Sequence, residues 1–341
     1  MKRRDRFRRR VRLGPGTEFD LIRSFLTHDE DLPAEVVVGP GDDCAVVKGG
    51  GFLALTSDLA VEGIHFRREW LAPVEIGYRS AAAALSDLAA MAAVPVGVLV
   101  SCGLAPEDVR GSVAGDLHRG VEEAARRVGA AVVGGDLSRS PGPLFLDVVA
   151  VGRAEDPILR DGARVGDELW VTGGLGAAGA AVRALGAGRA PPPRVRTAYA
   201  RPVSRVGEAL WLAERGVLHA LIDVSDGLAA DAGHLASASG VGIVLEADRV
   251  PVDPRARLLA GDERDALDLA LSAGEDYELC FAAPPGAVEE LSASFQAHFA
   301  VPLARVGQVV EGQGIYLDRG DGEPVPLRGG GYDHFAVGPG G

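Results

Sequence analysis

The chain has 341 residues, 47% hydrophobic and 24% charged, which suits a globular protein of about two domains. Its formal net charge of -13 argues against a general nucleic-acid binder, because phosphate would be repelled. No apolar run approaches the ~18 residues of a membrane span, and no Gly-Lys pair supports a P-loop. The three cysteines, Cys44, Cys102 and Cys280, form no C-x-x-C, so neither a zinc site nor a disulfide framework is expected, and a reducing, cytoplasmic compartment fits.

Aromatics make up only 5% of the chain, so Ala, Val and Leu must build the core. Residues 1–13 are strongly basic without an apolar stretch after them; they read as a disordered arm, not a signal peptide. Thr17 to Leu26 reads as a helix, with Thr17 as N-cap and Phe19, Ile22, Phe25 and Leu26 on one face. Val37 to His65 reads as two short apolar strands that run out into acid. Asp42 and Asp43 follow the turn Gly39-Pro40-Gly41, and Thr56, Ser57 and Asp58 follow the strand Phe52 to Leu55. Lys48 is the sole base between Val37 and His65. A buried carboxylate is costly unless paired or bound to a metal, so a hard divalent cation is one reading of this stretch and a solvated turn is the other.

Pro73 to Ala93 is predicted as an Ala-rich buried helix. Within it Asp87 has only apolar helical neighbours, Ala83, Ala84, Ala90 and Met91, and needs a cation or a hydrogen-bond donor. Val96 to Leu104 reads as a strand and Pro106 to Val128 as one amphipathic helix. Ala130 to Val133 reads as a strand that ends in Gly134-Gly135-Asp136, and Leu144 to Gly152 as a further strand. The boundary between two domains, 14–153 and 154–341, falls in a connection that carries Arg160. A linker arginine is either solvated or free to reach a phosphate.

Strand Glu168 to Thr172 leads into Gly174-x-Gly176-x-x-Gly179, which matches a dinucleotide fingerprint. The ribose-binding acid expected about 20 residues on is absent, since the next acid is Glu208. A tight turn into a helix explains the glycines, and a phosphate at the helix start stays open. Arg194 to Pro202 reads as a polar connector and Glu208 to Arg215 as a helix. Ala220 to Gly227 gives a strand followed by Asp223, Ser225 and Asp226, then a helix with Leu228, Ala232 and Leu235 on its apolar face. Val241 to Glu246 is a strand. Glu275 and Asp276 interrupt apolar sequence in SAGEDYEL. Residues 286–300 read as a helix, 303–310 and 314–318 as strands, and Tyr332 lies in the terminal GYDHF.

Seven segments therefore carry acid at or near the end of an apolar element. Several converging acids with few cations at hand describe a site for several magnesium ions, and magnesium on carboxylates points to a nucleoside triphosphate and phosphoryl transfer.

The segments GDDCAVV, TSDLAVEGIHF, LSDLAAMAAVP, VVGGD, IDVSDGL, SAGEDYELCF and GYDHF, in this order, closely resemble the thiamine-monophosphate kinase family, over about residues 14–335. That family belongs with aminoimidazole ribonucleotide synthetase and selenophosphate synthetase. The resemblance implies an α/β (α+β), two-domain PurM-like fold and a homodimer whose N-terminal sheets pair. It implies transfer of the γ-phosphate of ATP directly to thiamine monophosphate. By motif match, Asp43, Thr56, Ser57, Asp58, Asp87, Asp136, Asp223 and Asp226 would hold Mg2+. Gly135, Asp136, Arg160 and Ser225 would contact ATP, with Asp58, Asp136 and Arg160 catalytic. His65, Glu275 and Tyr332 would contact the thiamine compound, Tyr332 by stacking. No general base is required, because the acceptor phosphate is already anionic. No aromatic residue lies between Tyr78 and Phe145, so adenine would be held by aliphatic or arginine contacts. Residues 1–36 contain no cysteine, unlike a selenophosphate synthetase, and the chain closes in VGPGG, without the cysteine of a hydrogenase-maturation relative.

Overall fold

The computed structural model describes residues 36–38, 42–110 and 112–327. The predicted helix Thr17 to Leu26, the turn at Gly39 to Gly41, the basic arm and Tyr332 lie outside the described residues.

The first unit is a six-stranded sheet with helices on one face. Its strands are β1 (Val36–Val38), β2 (Ala45–Lys48), β3 (Phe52–Val61), β4 (Val94–Leu104), β5 (Ala131–Arg139) and β6 (Phe145–Ala154), in the order β1-β2-β3-β6-β4-β5. Only β4 and β5 run parallel. The helices are α1 (Pro73–Ala90), α2 (Pro106–Arg110) and α3 (Val113–Arg127). The second unit is a seven-stranded mixed sheet made of β7 (Glu168–Thr172), β8 (Ala220–Val224), β9 (Gly242–Glu246), β10 (Glu278–Ala283), β11 (Leu303–Val310), β12 (Gly314–Asp318) and β13 (Val325–Leu327). Its order is β13-β12-β9-β11-β7-β10-β8, parallel only between β9 and β12. Seven helices accompany it: α4 (Ala177–Gly186), α5 (Pro193–Ala200), α6 (Val206–Glu214), α7 (Leu228–Ser239), α8 (Pro254–Arg257), α9 (Glu263–Ser272) and α10 (Glu289–Phe299).

α1 is the element on which both units converge. Pro73 starts it without loss, since the first helical N–H needs no partner. Glu75 accepts from the backbone N–H of Ala72 at 2.8 Å and closes the first turn. Leu85 and Leu88 are fully buried, each stabilising the core by about 1.5–3 kcal/mol. Small residues let α3 come into backbone contact: a Cβ at Gly77 would lie 2.0 Å from the Leu117 carbonyl oxygen, and one at Gly120 2.0 Å from that of Val74. Apolar side chains of both sheets join in one core cluster.

Several elements differ from their expected form. β3 does not stop at Leu55 but continues to Val61, and β5 runs through Gly134, Gly135 and Asp136. The acids are therefore inside strands, where alternation sends neighbours to opposite faces. Thr56 reaches α1, whereas the Ser57 hydroxyl donates to Asp147 on the face that no helix covers among the described residues. The stretch from Pro106 to Val128 forms two helices, the second starting after Ser112, whose hydroxyl donates to Asp116 at 2.9 Å. The expected connector at Arg194 to Pro202 is largely helix α5, with Val195 and Tyr199 buried four residues apart.

Candidate functional site

Strand and helix ends from both units bring acids together beside α1. Asp43 follows β1, Asp87 lies on α1 and Asp223 on β8; one carboxylate oxygen from each falls within 4.8 Å of the others. The Thr56 hydroxyl donates to Asp87 at 2.5 Å and the Ser86 hydroxyl to Asp223 at 2.6 Å. These donors satisfy part of the cluster but cannot neutralise it. Burial and the neighbouring Asp43 push Asp223 up to about 7. Burial, then Asp223 and Asp58, push Asp87 well above the usual carboxylate range. Asp58, next along β3, is pushed up to about 6 by burial and by Glu275. Acids that hold protons near neutral pH because they are buried and face one another suit a cation bound between them.

The acids have no base beside them in the chain, yet Arg160 comes from 117 residues away to grip Asp43, with Nε 2.7 Å and a terminal nitrogen 2.5 Å from its two oxygens. The Arg160 backbone N–H also donates to Asp42 at 3.3 Å. Burial and Asp43 push the Asp42 carboxyl up to about 7. Arg160 thus sits at the cluster's edge as counter-charge to Asp43.

Asp226 joins a second group instead. With Asp231 and His234 on α7 it brings three ligand atoms within 4.8 Å, and its backbone N–H donates to Asp231 at 3.1 Å. Burial and Arg160 hold the His234 ring down at about 4, so it is neutral at physiological pH and a ring nitrogen keeps its lone pair. Ser225 lies between the two groups, its carbonyl accepting from the Glu275 N–H at 2.8 Å.

A third constellation lies farther along α1. Arg79, only 3% exposed, donates to the His65 carbonyl at 2.8 Å and to the Glu275 carboxylate. Its guanidinium carbon stands 4.3 Å from the centre of the Tyr199 ring, and the Tyr199 hydroxyl donates to the same His65 carbonyl at 2.9 Å. The Tyr277 hydroxyl donates to Glu275 at 3.0 Å. Glu275 and Tyr277 adopt φ of 77° and 53°, a left-handed conformation that costs side-chain-bearing residues free energy. Bonds to the Ser225 and Val224 carbonyls hold the loop there.

Gly135 and Asp136 are not brought to the carboxylates. They lie on the edge strand β5 and line an open cavity of about 840 Å³ between β4, β5 and α3. Its walls include Cys102, Leu117, His118, Val121 and Leu137. Gly135 has φ 153°, and a Cβ there would lie 2.0 Å from the Val100 carbonyl oxygen. At Gly174 to Gly179 the helix start already has a carboxyl of its own: Asp276 accepts from the Gly176 N–H at 2.6 Å. A Cβ at Gly179 would lie 2.1 Å from that of Ala273, so these glycines serve the packing of α4.

The sequence reasoning passed over Arg79, Tyr199, Asp231 and His234. Arg79 carried a readable signal, a charge in a helix expected to be buried. Asp231 and His234, three residues apart in the helix after IDVSDG, carried another.

The chain is similar to known proteins over most of its length. The model of AIR synthase related protein, N-terminal domain, matches residues 41–154, and that of the C-terminal domain matches residues 164–319. A thiamine-monophosphate kinase of Rhodopirellula baltica is 36% identical over 308 residues, 86% of this chain and 91% of that protein. That of Escherichia coli K12 is 34% identical over 334 residues, 94% of this chain and 98% of its own length. Among solved structures, "AaThiL complexed with AMPPCP and TMP" superposes with a TM-score of 0.79 at 29% identity, covering 94% of this chain and 97% of that one. The thiamine-monophosphate kinase from Stenotrophomonas maltophilia gives 0.72 at 35% identity, covering 90% and 97%.

Proposed function

The chain belongs to the thiamine-monophosphate kinases of the AIR synthase related family, and on that premise we infer how its residues divide the reaction. The reaction is phosphorylation of thiamine monophosphate to thiamine diphosphate with ATP as donor. The observation that carries the assignment of residues is the convergence of Asp43, Asp87 and Asp223 beside Asp58, an arrangement of buried acids that a bound cation would relieve.

Asp43, Asp58, Asp87 and Asp223, with Thr56 orienting Asp87, are the residues that would hold Mg2+ nearest the transferred group. Asp226, with Asp231 and His234, would hold a further ion. Magnesium, when bound, supplies the positive charge that offsets the crowded phosphate oxygens during transfer. Arg160 sits where it can pass from Asp43 to a phosphate oxygen as the ligand arrives, exchanging one anionic partner for another. Its planar fork suits both. Gly135 and Asp136 mark the nucleotide side: the cavity they line is large enough for a nucleoside, and its aliphatic walls suit a purine face. Ser57 and Asp136 lie away from the carboxylates, so any part they take in metal binding would go through the nucleotide. His65 and Glu275 frame the opposite end, where the thiamine ring would sit, with Tyr332 proposed to stack on it. No side chain has to remove a proton from the acceptor, because a phosphate monoester is already charged near neutral pH. The relative solved with AMPPCP and TMP supports a site that takes an ATP-like donor and a phosphate-bearing acceptor together.

A homodimer completes the proposal. The uncovered face of the first sheet exposes Leu59, Val94, Val96 and Leu99, an apolar surface that a second copy of the same sheet would cover. Replacing Leu59 and Leu99 by Asp is expected to give a monomer in light scattering and to lower activity; an unchanged particle mass would exclude this face as the interface. A cytoplasmic location suits three free, buried thiols. Among the described residues no helix is long and apolar enough to cross a membrane.

The direct experiment is incubation of the purified protein with ATP, Mg2+ and thiamine monophosphate, following thiamine diphosphate by chromatography. Product requiring all three components supports the assignment. Absence of product under conditions where the Escherichia coli relative is active removes it.

A further inference from the structure

We infer that Arg79 is a positioning residue for the acceptor: its guanidinium ties His65 of the first unit to Glu275 of the second and so sets the width of the ring-binding end of the cleft. The inference rests on the kinase reading above and goes beyond it, because Arg79 is in none of the acid-tipped segments.

Arg79 is buried on α1, the helix that α3 grips by backbone contact, so its own position is firm. From there its fork reaches two loops. One nitrogen donates to the His65 carbonyl in the loop after β3; the other donates to the Glu275 carboxylate in the loop between α9 and β10. Tyr199 on α5 roofs the guanidinium with its ring and bonds the same His65 carbonyl, so the arginine is held from a third direction. Glu275 sits in a left-handed conformation that the chain adopts at a cost. An ion pair across the two units offsets that cost and keeps the carboxylate at the cleft.

Two chemical consequences follow. Glu275 already has a cation, so toward the thiamine ring it acts as a hydrogen-bond acceptor more than as a counter-ion. A lysine cannot replace Arg79: one ammonium on a flexible stem cannot keep the planar fork that serves a carbonyl and a carboxylate lying in different directions.

The test compares wild type, Arg79→Lys and Arg79→Met by steady-state kinetics, by calorimetric titration with thiamine monophosphate, and by thermal melting. Arg79→Met is expected to raise KM and Kd for thiamine monophosphate by about 10–100-fold while KM for ATP stays within about two-fold. Arg79→Lys, which retains the charge and is the variant expected to fold normally, is expected to raise them about 10-fold. Arg205 provides the control: it makes a comparable buried ion pair with Glu278 at 2.5 Å, and Arg205→Met is expected to lower the melting temperature without moving either KM. If Arg79→Lys keeps the wild-type affinity for thiamine monophosphate, or if both KM values move together, the inference is overturned. Should Arg79→Met fail to fold, Arg79→Lys decides alone. Wild type that binds thiamine monophosphate but makes no product would remove the kinase reading and leave this inference to the Kd values. Wild type that does not bind it would remove both.

Discussion

Asp87→Asn is expected to lower kcat by about 10³-fold and, in the same protein, to raise the stability of the metal-free form. The two effects have one cause. Asp87 is buried on α1 within reach of Asp43 and Asp223, and its carboxyl is pushed well above the usual range by burial and by those neighbours. An amide of the same shape still accepts the Thr56 hydroxyl bond but brings no charge. The cluster then loses a metal-binding oxygen, and ~4 kcal/mol of transition-state charge stabilisation corresponds to the expected rate loss. Without metal the same change relieves repulsion among buried acids, stabilising the fold by about 1–2 kcal/mol. The measurement pairs a turnover assay with melting in EDTA. A variant that is both inactive and less stable would mean that the charge of Asp87 is satisfied by the fold alone, leaving no place for a cation.

The second large effect is on pH dependence. In EDTA the protein is expected to melt roughly 5 °C or more lower at pH 8 than at pH 5.5, with the part of that difference owed to Asp58 and Asp223 lost in saturating Mg2+. Asp58 is pushed up to about 6, Asp42 and Asp223 to about 7, and Asp276 to about 8, in each case chiefly by burial. Their ordinary value is 3.8. The folded state therefore keeps protons that the unfolded chain has released, and stability falls as pH rises between those limits. His234 opposes this: with its ring held down at about 4, it gives up stability as pH falls below 6.5. It is one group against four. Below pH 4 the trend reverses, as carboxylates such as Asp265, held down at about 2 by Arg183, lose their partners. A bound cation replaces the protons of the carboxyls that hold it, so magnesium binding should release those, and calorimetry in buffers of different ionisation enthalpy would count them. A melting temperature that rises from pH 5.5 to 8 without metal would contradict the account.

Much of the site could be read from linear sequence because the chain puts single charges in apolar surroundings. Asp87 stood out against four alanine and methionine neighbours, and Asp223 against the run before it. The pairing of Arg160 with Asp43 could not be read this way, because asking which bases lie nearby measures separation along the chain, and the fold brings this base from 117 residues away. The strand lengths were misread for a related reason. An acid in the sequence looks like the end of a strand, but β3 has two faces with different duties, and Thr56 and Ser57 point to different ones. In and just after α5 the arginines at 194, 196 and 201 concealed the apolar pair Val195 and Tyr199. Arg79 is hard to read in the linear sequence because its partners, the His65 carbonyl and the Glu275 carboxylate, come from loops 14 and 196 residues away.

α1 also acts as a ruler. Arg79 and Asp87 are eight residues apart on one helix, a rise of ~12 Å. The close backbone contact at Gly77 and Gly120 keeps that helix from sliding. An acceptor whose ring is held near Arg79 must span this interval for its far end to meet the groups around Asp87. The helix thus sorts acceptors by length: thiamine, lacking the phosphate, would reach the ring end and stop short of the chemistry, occupying the site without being consumed.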